Sequence, residues 1–190
     1  MKKIVFLICL AILTTAFYEG SESKYLFWKP DTKLRWSDFQ GHIKPEDDAA
    51  ASASYIGFFH TIKKCSHPDS IILDTRAYFN KNRSWVKVPA VNPSLLLHEQ
   101  LHFDLAELYS RRFRKAIQGM TFSASSYVHC IDSVYKSYSE SGDSTHVLYD
   151  IETNHGLDKA SQETWNEYVK SNLTQMNQWE FPRLKLYIPK

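Results

Sequence analysis

Near the middle of the chain, His98-Glu99-Gln100-Leu101-His102 sets two imidazoles four positions apart, with a carboxylate beside the first. An α-helix turns about 100° per residue, so positions i and i+4 lie one above the other on one face. In a helix, His98 and His102 can therefore bind one zinc ion together, and Glu99 can reach a water held by that ion. Zinc lowers the pKa of such a water to about 7, which supplies a nucleophile at neutral pH. Glu99 is then the expected general base, and the set is what hydrolysis of an amide requires. The alternative is coincidence on a solvated helix, and the flanking residues oppose it. Leu95-Leu96-Leu97 run into the motif, and Leu105, Tyr109 and Phe113 continue its stripe, which predicts a buried helix. Ala106 beside the stripe leaves room for a partner helix.

A catalytic zinc takes a third protein ligand. Asp104 and Glu107 follow closely, but helix geometry turns both away from the two imidazoles. Glu107 stands four residues before Arg111 and reads as half of a surface ion pair. The ligand must come from elsewhere, and Tyr149-Asp150-Ile151-Glu152-Thr153-Asn154-His155-Gly156 is the richest segment, with Gly156 placed to end a helix. His155 is the expected third metal ligand because imidazole is the commonest zinc donor. Glu152, three positions earlier, is its close rival, and whichever does not bind would orient a ligand or polarise substrate. The plain alternative for this segment is a solvated helix end. His42, His60, His67, His129 and His146 are isolated and read as core or surface histidines.

The elements that must position these residues divide the chain. Its first half is strand-rich, with runs at Lys33-Leu34-Arg35-Trp36, Tyr55 to His60, Ile71-Ile72-Leu73, Ala77-Tyr78-Phe79 and Trp85 to Val88. Asn80-Lys81-Asn82-Arg83 reads as a turn. In the second half, Asn92-Pro93 caps a helix that runs to about Ile117, and further helices are expected near 124–139, 144–154 and 158–176. Strands first and helices after predict an α+β fold, as one domain over residues 24–190. Trp36 and Phe39, with Asp38 between them, either line a substrate groove or belong to the core.

Hydrophobic residues at 43% and charged residues at 23% are ordinary globular values, and the 190 residues suffice for one core. A net charge of +2 with no basic run argues against a nucleic-acid partner or an anionic membrane. Residues 1–16 have the layout of a signal peptide: Lys2 and Lys3, an apolar run from Ile4 to Leu13, then Thr14-Thr15-Ala16. The run is short for a membrane span, so contact with a membrane is expected only through an uncleaved leader. Export to the periplasm or the medium follows. Cys65 and Cys130 then remain, and in an oxidising compartment they are expected to pair; two buried thiols are the alternative.

Residues Asn92 to Glu107 around the motif, Leu34 to Gly41, Ala49 to Ala53, and Tyr149 to Gly156 together resemble the bacterial family of predicted secreted zinc-dependent proteases, a domain of unknown function. The resemblance spans about residues 33–170 and implies a zincin-like fold, export and peptidase activity. Peptides or proteins, cell-wall peptides among them, are the expected substrates. From another class, the chain would be an exported binding or assembly module with a non-catalytic zinc site. Glu99 speaks against that, since a structural site gains nothing from a base beside it.

Overall fold

The computed structural model describes residues 24–44 and 50–189. In chain order its elements are β1 (Tyr25–Phe27), β2 (Ser52–Ala53), β3 (Ile56–Lys64), β4 (Ser70–Asn80), β5 (Trp85–Val86), α1 (Pro93–Gln118), α2 (Tyr127–Thr153), α3 (Lys159–Gln175) and β6 (Arg183–Tyr187). The expected leader, residues 1–16, and Ala49 lie outside the described residues. Among those described, no helix is long and apolar enough to cross a membrane.

β4 is the axis of an antiparallel sheet. β3 pairs along one edge of it, from Ile56 opposite Phe79 to Lys64 opposite Ile71. The other edge is shared, with β1 against residues 78–80 and β6 against residues 70–74. Alternation sends Ile71, Leu73, Ala77 and Phe79 to one face, where they join Phe103, Ala106, Phe113 and Ile117 of α1 in a single core. The expected runs at 71–73 and 77–79 are thus one strand. Asp74 and Arg76, which interrupt them, sit on the opposite face, where the Asp74 carboxylate accepts from Arg76 Nε at 2.8 Å and Arg183 Nε at 3.0 Å. β2 and β5 pair separately as a small antiparallel ribbon.

Helices gather on this sheet as an α+β arrangement, with α1 touching β3, β4, α2 and α3. The Asn92 side chain accepts from Leu95 N at 2.9 Å, and Pro93 opens the first turn of α1, as the sequence predicts. Burial begins one turn later than expected: Leu97 is 64% exposed, whereas His98 through Leu101 are buried. Residues 124–153 were expected to form two helices, and α2 is instead continuous through Ser141-Gly142-Asp143-Ser144. Gly142 is a contact point here. A Cβ on it would stand 3.3 Å from Cγ of Tyr109, so its bareness lets α2 approach α1 closely.

Other local expectations change for identifiable reasons. Residues 33–36 do not form a strand. Leu34 N donates to Gln100 Oε1 at 2.8 Å, and Asp38 draws Trp36–Asp38 into a 3-10 turn by accepting from Arg35 N. Phe39 packs 5.0 Å from Phe79 at the edge of the core, with Trp36 beside it. Glu107 and Arg111 are not on the surface. They are 4% and 2% exposed, because α3 and the segment from Leu173 to Glu180 cover that side of α1. Glu107 accepts from Arg111 Nε at 2.9 Å and Arg114 Nη2 at 2.6 Å; burial pushes its carboxyl upward, and the two guanidiniums oppose the shift. Cys65 and Cys130, expected to pair, are free thiols. Tyr135 donates to Phe58 O and His60 bonds Asp132, both at 2.9 Å, so β3 runs antiparallel to α2. From His60 to Cys65 the extended chain advances ~16 Å, while from Asp132 to Cys130 the helix returns only ~3 Å. The two thiols are carried past one another, beyond the Cα separation of about 7 Å that a disulfide tolerates.

Candidate metal centre

The i, i+4 geometry of α1 places the His98 and His102 rings with centroids 4.8 Å apart. Because α2 lies close against α1 here, Asp150 stands between them: its Oδ1 is 3.0 Å from Nε2 of His98 and 3.0 Å from Nε2 of His102. These three donor atoms all fall within 4.8 Å of one another, and the group could hold a metal ion. Burial pushes the Asp150 carboxyl up, but the bonds to His102 and His98 outweigh this and hold it well below the usual carboxylate range. The residue is therefore an anion beside two imidazoles.

Both rings are held from behind. Tyr149, fully buried, stacks on His98 at 4.6 Å and meets His102 edge-on at 4.7 Å. Its hydroxyl donates to Gln162 Oε1 at 2.8 Å; that oxygen lies 3.1 Å from His98 Nδ1. Burial raises the Tyr149 pKa, so the hydroxyl keeps its proton. On the other side, His102 Nδ1 lies 2.9 Å from His146 Nδ1. Burial, aided by the neighbouring His102, lowers His146 to about 3, and it serves as a neutral partner. Gly156 closes the floor at φ +79°, where a Cβ would come within 2.9 Å of His98 Cβ.

Glu99 is 4% exposed and turns toward the ribbon strand β2. Ser52 and Ser54, two residues apart on one side of the chain, donate to its two carboxylate oxygens at 2.5 Å each. His98, Glu99, His102 and Asp150 line a cleft of about 710 Å³, a volume typical of ligand sites. Its walls include Ala50, Ala51, Ala53 and Leu95, with Asp143, His146 and His155 toward α2. Trp36, Asp38 and Phe39 are not part of this lining.

The residue brought together with His98 and His102 is Asp150, not the expected His155. α2 ends at Thr153, and Asn154, His155 and Gly156 all take positive φ, which carries His155 outward. Its side chain is 75% exposed, with Nδ1 3.6 Å from Asp150 Oδ1. Glu152, two residues beyond Asp150 and so about 200° around the helix, accepts from Trp165 Nε1 at 2.8 Å instead. Asp104 is turned away, as expected, and accepts from Trp28 Nε1 at 2.7 Å. His146 is not isolated. The signal for Asp150 was its i, i+4 relation to His146, legible only once residues 141–144 are helical.

Compared with protein-family models, with curated proteins and with solved structures, the chain finds no match, so the reading of the site rests on its own residues.

Proposed function

We propose that the chain is a zinc-dependent hydrolase with a zincin-like fold, acting on peptide or protein substrates, in which His98, His102 and Asp150 hold the metal and Glu99 is the general base. The observation that carries this reading is the meeting of three metal-type donors with a separate buried carboxylate in one open cleft. Bonds of 2.0–2.1 Å about a tetrahedral zinc set ligand atoms roughly 3.3 Å apart, close to the 3.0 Å between Asp150 Oδ1 and each Nε2. Two imidazoles and one carboxylate with room for a further group match a catalytic site, whereas structural zinc is closed by four protein ligands. When bound, zinc supplies Lewis-acid polarisation of water and of a substrate carbonyl. Ser52 and Ser54 hold the Glu99 side chain in place at the cleft. From there it takes the proton of the attacking water and returns it to the leaving amine. Membership of the predicted secreted zinc-dependent proteases, and export through residues 1–16, are part of the proposal.

Glu99→Gln tests it. The variant should keep about one zinc per chain by elemental analysis, since no ligand is altered. Screening wild type against a peptide library and a cell-wall digest supplies the substrate, and on that substrate the variant should be at least about a hundredfold slower. Cleavage at the wild-type rate would refute the role of Glu99, and zinc-free wild type would refute the centre.

A further inference from the structure

We infer that Gln162 on α3 is a positioning residue that accepts from His98 Nδ1 and so aims Nε2 at the metal; this rests on the zinc reading above. Donors and acceptors run inward from the surface in one order. A carboxylate can only accept, so Asn166 must turn its Nδ2 toward Glu163 Oε2, at 3.3 Å. That leaves Asn166 Oδ1 to accept from Gln162 Nε2 at 3.0 Å. Gln162 Oε1 is thereby aimed the other way, at the Tyr149 hydroxyl and, 3.1 Å off, at His98 Nδ1. Reversing the Gln162 amide would set oxygen against oxygen somewhere along this chain. With Nε2 committed to a cation, Nδ1 carries the ring's proton, and with His98 2% exposed the Gln162 oxygen is the acceptor that satisfies it.

Without a cation, Nε2 of His98 faces Asp150 Oδ1 at 3.0 Å, and the two can share a proton. A cation that takes both atoms displaces that proton, and Nδ1 then supplies the ring's one N–H, which Gln162 Oε1 accepts. The residue never touches the ion; it acts through His98, from a helix whose sequence carries no metal motif.

Zinc affinity of the full chain, measured by competition with a chromophoric chelator, gives the test for wild type, Gln162→Met and Gln162→Glu. Methionine fills similar space without an acceptor and should weaken binding by about 10- to 100-fold. Glutamate restores an acceptor at the same place and should bind within a few-fold of wild type. In the zinc-loaded protein, two-bond 15N–1H correlations should show His98 bound through Nε2 and protonated on Nδ1. Equal affinity of wild type and Gln162→Met, or a zinc-loaded His98 bound through Nδ1, overturns the inference while the zinc reading stands. A wild type that binds no zinc overturns both.

Discussion

At the residue scale the centre is defined by which atoms are left without a partner of opposite kind. His98 and His102 each spend one nitrogen on a neighbour, Gln162 or His146, and turn the other toward Asp150. An arrangement of acceptors facing acceptors is stable only with a proton or a cation among them. Asp150 and His155 can be told apart on this ground. Asp150→Asn keeps the size of the side chain but removes the charge, and zinc affinity should fall by at least tenfold. His155→Ala, at a 75% exposed side chain, should change it by less than threefold. Chelator competition on both variants checks the pair, and the opposite ranking would return the third place to His155.

At the element scale, the centre depends on how closely two helices approach. α1 offers His98 and His102 on one face, and α2 must lie near enough for Asp150 to reach both. Gly142, two turns before Asp150 along α2, lies against the Tyr109 ring and sets that approach. In an exposed helix, exchanging glycine for a larger residue would gain stability from propensity. Here the ring stands 3.3 Å from a new Cβ, so Gly142→Val adds two further carbons where there is no room. The expected outcome is a loss of about 1–3 kcal/mol in urea unfolding together with weaker zinc binding. Unchanged affinity in a folded Gly142→Val would show that the helix separation does not control the site.

For the whole molecule, a buried ion network joins the helical layer to the sheet and the C-terminal segment. Arg114, fully buried, donates to Glu107, to Ser110 Oγ, to Thr75 O of β4 and to Trp179 O. Arg111 adds Glu107 and Leu173 O. Removing one member of such a network strands the others without solvent. Glu107→Ala should cost about 3–5 kcal/mol, read as a lower denaturant midpoint in the metal-free protein. An effect under 1 kcal/mol would mean that water reaches the guanidiniums.

What the sequence by itself determined were the features set by local spacing. The i, i+4 histidines, the buried stripe behind them and the Asn92-Pro93 cap are all dictated within one or two turns of chain, whereas β6, which follows the helices and returns to pair with β4, is not. Asp104 and Glu107 could be set aside on the same ground. Tertiary structure decided everything that depends on which helix meets which. Ser141-Gly142-Asp143-Ser144 looks like a break to local propensity, yet packing against Tyr109 keeps it helical, and only that continuity brings His146 and Asp150 inward. Glu107 and Arg111 look like a surface pair until α3 and the chain after it cover them. Ser52 in β2 and Ser54 just after it gain a role only because this segment folds over Glu99. Spacing fixes direction along a single element; the partner on the other side is chosen by burial, which no short stretch of sequence contains.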